Sequence, residues 1–342
     1  MGHSIFPDVA PLNLSIGLRG NTRTNPSPSA AVSVTTFRPG AAWALNATFG
    51  ILGDSTREER ARLNRASSFV NSVQETRKRF WYYPRQHPGG EVVRGNLLAA
   101  GSGYLQSNRL GAELWTTIAV DGGSTLAVNS YRLEIRGNAG TGAEQQIAVT
   151  DGMTYSLTGE YHIDPRVGST ATLRVGSTSE DNNLLNVSLT ADDVGRFTYT
   201  FVASGNTAFL SMVSGEAGSI YFSQMAVAPA ATVTATAQKG ESVARIGGLP
   251  GSLDIALFVG DFIEINGEFK QLTTDLETFG AGEESLSFAP SLRKPLAIGD
   301  PVILHRPSIL VQAADTDVTY QRAGMGTLPL QMVEVFPRST NP

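Results

Sequence analysis

The chain has no cysteine in its 342 residues. Disulfides, thiolate metal sites and cysteine nucleophiles are therefore excluded. Histidine is scarce: His3, His87, His162 and His305 are the only four. No two stand at metal-ligand spacing, so each reads as structural or simply exposed, and no metal or other cofactor is expected. Long apolar runs are missing too, so no segment reads as a transmembrane helix. The opening Met1-Gly2-His3-Ser4-Ile5-Phe6-Pro7 has neither the basic region nor the apolar core of a signal peptide. The expectation is a protein made and folded in a cytoplasm. Nucleophile elbows, phosphate loops and dinucleotide fingerprints are absent. Gly137-Asn138-Ala139-Gly140-Thr141-Gly142 is glycine-rich, but it lies between strands. With no helix start behind it to hold phosphate, it reads as a turn.

Charge is sparse, at 17% of residues with a net −5, and unevenly placed. Between Gly95 and Ala235 there are 6 basic and 12 acidic residues, a net −6, leaving +1 for the rest. An acidic middle argues against nucleic acid as its partner. What the chain does have is 36 glycines and abundant Val, Thr and Ser. That is the composition of an all-β protein full of turns. Its length suits two domains.

The sequence texture divides in three. Leu12 to Leu18 alternates apolar with polar residues, as a half-buried strand does. Ala31–Phe37 and Ala42–Phe49 are further strands, with a Pro-containing loop before the first of them. One helix follows. Ser55 and Glu58 make a capping box, and Leu63, Ala66, Phe69, Val70 and Val73 form one apolar stripe. The helix should end before Lys78 and give way to an aromatic strand, Arg79-Phe80-Trp81-Tyr82-Tyr83, stopped by Pro84. From Asn96 to about Ala228 the texture becomes short alternating strands with glycine turns, which implies a β-sandwich. After Thr232 the first texture returns. Asn266-Gly267 there marks a two-residue hairpin, Ser285–Phe288 and Pro301–Leu304 are strands, and Leu328 to Val335 is the last. The expected fold is mainly β: a discontinuous sandwich or barrel base with one helix, residues 1–94 and 233–342, hosting an inserted β-sandwich, residues 95–232.

Two families resemble these parts. Trp43-Ala44-Leu45 to Phe49, the helix through Arg62-Leu63, and Phe80 to Pro84 look like the front of a tailed-bacteriophage distal tail or tail-tip adaptor. Gly260-Asp261-Phe262-Ile263, Leu272-Thr273-Thr274-Asp275, Leu286-Ser287-Phe288, Pro290-Ser291-Leu292-Arg293-Lys294-Pro295 and Gly299-Asp300-Pro301-Val302 are similar to its back half. The insert resembles jelly-roll carbohydrate-binding modules. The resemblance rests on Asn96-Leu97-Leu98, Trp115, Gln146–Val149 with Gly152–Leu157, Phe197–Phe201 and Ile220-Tyr221-Phe222. Many such modules carry Asp-Asn after the last aromatic strand and use the Asp to hold calcium. Ser223-Gln224 stand there in this chain, which puts a calcium site in doubt.

The first resemblance implies a structural component of a phage tail tip or baseplate. It would be a homo-oligomer, a hexameric ring at the end of the tail tube, touching tube and baseplate hub proteins, located at the virion tail tip and assembled in the bacterial cytoplasm. The second implies a weak sugar-binding surface facing host polysaccharide. Six such sites on one ring would gain avidity. Trp115, Tyr131 and Tyr161 are the candidate sugar-stacking residues, because a flat ring packs on a sugar's apolar face at little entropic cost. The alternative is that they are core, and Tyr131 alternates with charged residues as a buried side chain would. Asp181, Asp192 and Asp193 read as solvated turn residues rather than a catalytic pair, since nothing in the sequence activates them. The basic cluster Arg57, Arg60, Arg62, Arg65, Arg77, Lys78, Arg79 and Arg85 is interleaved with Glu58, Glu59 and Glu75, so it reads as a salt-bridged face or subunit contact rather than a nucleic-acid surface. A carbohydrate-active enzyme, or a secreted accessory sugar-binding module, is the competing reading.

Overall fold

The computed structural model describes residues 6–7, 11–19, 22–26, 33–37, 42–50, 57–74, 79–84, 96–98, 114–120, 123–129, 132–163, 170–190, 195–251, 253–278, 283–315, 319–320 and 326–335. It is mainly β, with one α-helix among the described residues, and it divides into two compact units. One comprises residues 5–85 and 308–342. The other is residues 86–307, together with residues 1–4.

The terminal unit draws one sheet from both ends of the chain. Its strands are β1 (Asn13–Arg19), β2 (Thr22–Pro26), β3 (Ser33–Phe37), β4 (Ala42–Gly50), β5 (Arg79–Tyr82), β23 (Ile309–Asp315), β24 (Thr319–Tyr320) and β25 (Gly326–Glu334). The main sheet runs β1-β4-β25-β23-β5, and β2 with β3 forms a separate hairpin. Alternation puts Trp43, Leu45, Ala47 and Phe49 of β4 beside Leu328, Leu330 and Met332 of β25 in one core. Helix α1 (Arg57–Gln74) buries Leu63, Ala66 and Val70, three members of the expected stripe. Phe69 makes edge contacts with Phe6 and Phe80. Ser55 of the expected capping box lies outside the described residues. Glu334 accepts the Trp43 amide, 3.0 Å away, which ties the last strand to β4.

The larger unit holds a β-sandwich and a small barrel. The sandwich strands are β6 (Thr116–Ile118), β7 (Thr125–Asn129), β8 (Arg132–Gly137), β9 (Gly142–Ala148), β10 (Thr154–Ile163), β11 (Thr170–Gly176), β12 (Leu185–Thr190), β13 (Gly195–Val202), β14 (Thr207–Ser214) and β15 (Gly218–Val233). One layer is β12-β11-β14-β9-β6; the other is β13-β10-β15-β8-β7. Between them lie Leu133, Ile135, Leu157, Leu173, Leu210, Met212 and Phe222, all buried. The glycine-rich 137–142 segment is the turn between β8 and β9, as expected. Asn96 ties the segment before the sandwich to β15: its side chain donates to the Met225 carbonyl and accepts the Val227 amide.

The barrel closes the end of β15 with β16 (Val243–Gly247), β18 (Phe262–Ile265), β19 (Glu268–Leu272), β21 (Glu284–Ala289) and β22 (Pro301–Ile303), while β17 (Leu253–Leu257) and β20 (Leu276–Thr278) pair as a separate two-stranded sheet. Asn266 and Gly267 turn β18 into β19 with φ values of 46° and 78°. Those are the left-handed values a type I′ hairpin requires, and Asn-Gly meets them at least cost. A separate core of Ile246, Leu257, Ile263, Leu286, Phe288 and Val302 fills the barrel.

Strand β15 belongs to both bodies. Its first part pairs with β8 and β10, and Ala230–Val233 pair with β22 and β16. Residues 233–307 therefore fold with the sandwich, and only residues 308–342 return to the sheet of the first 85. The sequence reading had grouped 233–307 with the first segment. Both stretches are short alternating strands, and alternation does not say which strand is the partner. Arg196 of β13 clamps the same junction through two bonds to the Glu264 carboxylate of β18, at 2.8 and 2.9 Å. Arg306 donates to the Gln224 carbonyl, and the Thr154 amide donates to the Gly248 carbonyl.

Candidate functional site

Two of the three expected sugar-stacking residues, Trp115 and Tyr161, are among the described residues. Trp115 is only 4% exposed and belongs to the sandwich core. A ring face enclosed by apolar side chains cannot stack on a sugar, so the structure gives Trp115 a packing role. Tyr131 lies outside the described residues. Tyr161 is half-buried and packs on the edge of the core, its ring 6.5 Å from that of Phe197. It lies over Gly195, where a Cβ would stand 2.6 Å from the ring, so the glycine is needed for this approach. Tyr199 is half-buried against the same core. Burial pushes its phenol pKa up, and the like charge of an ionised Tyr161 adds to that shift.

A different surface brings polar groups together. In the layer β12-β11-β14-β9-β6, alternation sends Ala143, Ile147, Ala171, Leu173, Val175, Leu210 and Met212 into the core. The residues between them face outward. The strand registers place Asn186, Arg174, Ser211, Glu144 and Thr116 in one row across all five strands. The next row along the strands holds Gly176, Phe209 and Gln146. Asn186, Gln146 and Thr116 are exposed, and Phe209 and Arg174 are half-buried.

One carboxylate sits in this row, and it is fully engaged. Glu144, nearly buried, accepts Ser179 Oγ at 2.6 Å, the Glu180 amide at 2.7 Å and Ser211 Oγ at 2.8 Å. Ser179 and Glu180 belong to the 177–184 loop between β11 and β12, so Glu144 holds that loop over the sheet. Gly176 permits the crossing, since a Cβ there would stand 2.6 Å from the Asp181 backbone. Asn183 fixes the loop's base by accepting the Ser177 amide. Arg174 contrasts with Glu144: its Nε is buried and has no hydrogen-bond partner among the described residues.

This row was present in the alternating strands, but no residue type in it signals a site by itself. Gln146, Arg174 and Ser211 become one surface only once the registers are known. Asp181, by contrast, is a loop residue accepting its neighbour's amide, as the turn reading expected; Asp192 and Asp193 lie outside the described residues. At the Ser223-Gln224 position Ser223 Oγ donates to Glu160 at 2.7 Å. Among the described residues no group of three or more His, Asp or Glu is arranged to hold a metal, and no helix is long and apolar enough to cross a membrane.

No family model matches the chain, and no curated protein matches it. Solved structures do match part of it. A structure described as CBM4 is similar over 39% of this chain and 99% of its own, at 19% identity and TM-score 0.30. TmCBM61, solved with β-1,4-galactotriose, covers 40% of this chain and 99% of its own, at 11% identity and TM-score 0.31. The enzymatically active domain of bacteriophage CBA120 tailspike protein 4 covers 39% of this chain and 21% of its own, at 14% identity and TM-score 0.31. These are likenesses of fold over part of the chain.

Proposed function

We propose that this protein is a non-catalytic glycan-binding protein, and that its site is the outer face of the β12-β11-β14-β9-β6 layer. The observation that carries this reading is the cross-strand row of planar and hydroxyl side chains beside a half-buried phenylalanine. Asn, Gln and Arg present fixed pairs of donors and acceptors that match vicinal sugar hydroxyls. A neighbouring aromatic supplies the apolar contact. A rigid sheet holds such groups in place before the ligand arrives, which lowers the cost of binding. The single carboxylate of the row is engaged by three donors, which supports a role in holding the loop rather than in acid–base chemistry.

Affinity gels cast with a panel of polysaccharides test this reading. Retardation by at least one glycan is expected. The double substitution Gln146→Ala with Phe209→Ala should weaken it at least tenfold, because each lost contact is worth about 1 kcal/mol. Trp115→Phe should not change affinity in protein that stays folded. Retardation unaffected by the double substitution would remove this face as the site.

One observation favours a second role for the terminal unit. Both chain ends close a single sheet there, while 86–307 forms a separate compact unit. We propose that the terminal unit is an assembly module, in line with the tail-tip resemblance, forming a homohexameric ring against tail-tube and hub proteins. A head-to-tail interface closes such a ring. Light scattering on the purified chain should give a mass near six protomers at micromolar concentration; a monodisperse monomer at every concentration would overturn the ring.

A further inference from the structure

We infer that Arg174 makes this face selective for glycans bearing carboxylates, namely polymers in which uronic acid residues are interspersed with neutral sugars. The inference rests on the glycan-binding reading above and adds its ligand class. The two charges of the cross-strand row are treated very differently. Glu144 accepts hydrogen bonds from two hydroxyls and one amide. Arg174 stands two strands away, between Ser211 on β14 and Asn186 on β12. Its Nε is buried and finds no hydrogen-bond partner among the described residues. Leaving a buried donor unmade is costly, more so on a charged group.

The neighbouring groups do not relieve it. Ser211 Oγ, on the adjacent strand, donates to Glu144 and makes no bond to Nε. Of the acids in the covering loop, Glu180 is exposed and Asp181 accepts the Asn182 amide within its own turn. Nε is closed to solvent and therefore to a ligand, but Arg174 is only half-buried overall, and a carboxylate meets two donors of a guanidinium's planar fork at once through its Nη nitrogens. Asn186 beside it is exposed and free to bind a hydroxyl of the same sugar.

The surrounding charge restricts the ligand further. Residues 95–235 carry a net −6, which repels a dense polyanion at long range. A sparse carboxylate, delivered on a largely neutral polymer, avoids that repulsion and still meets the fork. Selectivity therefore comes from a short-range pair rather than from general attraction.

Affinity gels with hyaluronate, xanthan and alginate, each beside its carboxyl-reduced form, test the inference. For the wild type, reduction of the carboxyl groups should weaken binding to hyaluronate or xanthan at least tenfold. The densely charged alginate should bind less well than either. Arg174→Gln should bind native and reduced polymers alike, and Arg174→Lys should recover only part of the discrimination, since an ammonium lacks the fork. Circular dichroism of the variants checks that the sheet is intact. Equal binding of native and reduced polymers by the wild type would overturn the inference while leaving glycan binding standing. Equal or stronger retardation by dextran sulfate would also overturn it, in favour of unspecific anion attraction. No retardation by any polymer, charged or neutral, would sink both readings together.

Discussion

Replacing Glu264 by Ala should destabilise the larger unit by about 3–5 kcal/mol, the cost of leaving a buried charge without its partner. Arg196 and Glu264 are 8% and 2% exposed at their side chains, and two short bonds join them. The pair links the sandwich strand β13 to the barrel strand β18, which lie 68 residues apart in the chain. With the carboxylate gone, the guanidinium loses both of these bonds in a dry setting, and the junction loses its clamp. Arg196→Ala should cost a similar amount. Because the residues act as one unit, the double replacement should cost far less than the sum of the singles. Urea denaturation of the four proteins of the cycle measures this directly. Single variants within 1 kcal/mol of wild type would mean that the clamp is dispensable.

The second large effect is expected at Glu268. Lys270 is completely buried, with Nζ 2.7 Å from the Glu268 carboxylate and 2.9 Å from the Ser291 carbonyl. The ammonium also lies 5.6 Å from the centre of the Phe288 ring. Glu268 does more than neutralise it, since it also accepts the backbone amides of Arg293 and Lys294. Glu268→Ala therefore takes the counter-ion from a dry ammonium and the acceptor from two amides together, and about 3–5 kcal/mol should be lost. Lys270→Met should cost clearly less, because the carboxylate keeps its two amides and the methionine fills the same space. The two midpoints in urea separate the cases. Equal losses would mean that Glu268 acts only as the counter-ion.

Local structure was largely legible in the sequence. The 137–142 segment is a turn between strands, Asn266-Gly267 turns its hairpin, and the aromatic stretch Arg79–Tyr82 is an edge strand of the terminal sheet. These follow from short-range physics: a two-residue period, a left-handed turn, a proline stop. The site was much less legible. Trp115 has the chemistry of a sugar platform, but side-chain type does not reveal which side of a sheet it joins, and here it joins the core. Arg174 and Gln146 sit in ordinary alternating strands, and only the pairing of three separate chain segments, β9, β14 and β11, puts them on one face. The boundary between bodies failed for the same reason. In Gly218–Val233 Pro229 stands where the partners change from sandwich to barrel strands, but a proline inside a strand does not say which strand comes next.

That shared strand also limits how the molecule can be taken apart. Sixteen residues run unbroken from one body into the other, so no linker offers a place to cut. Severing the chain near Ala228 would strip the barrel of a wall and expose the bare rims of β16 and β22, which invite foreign strands. The sandwich is not a detachable cassette: whatever grips a ligand on it pulls on the barrel through the same backbone, without slack.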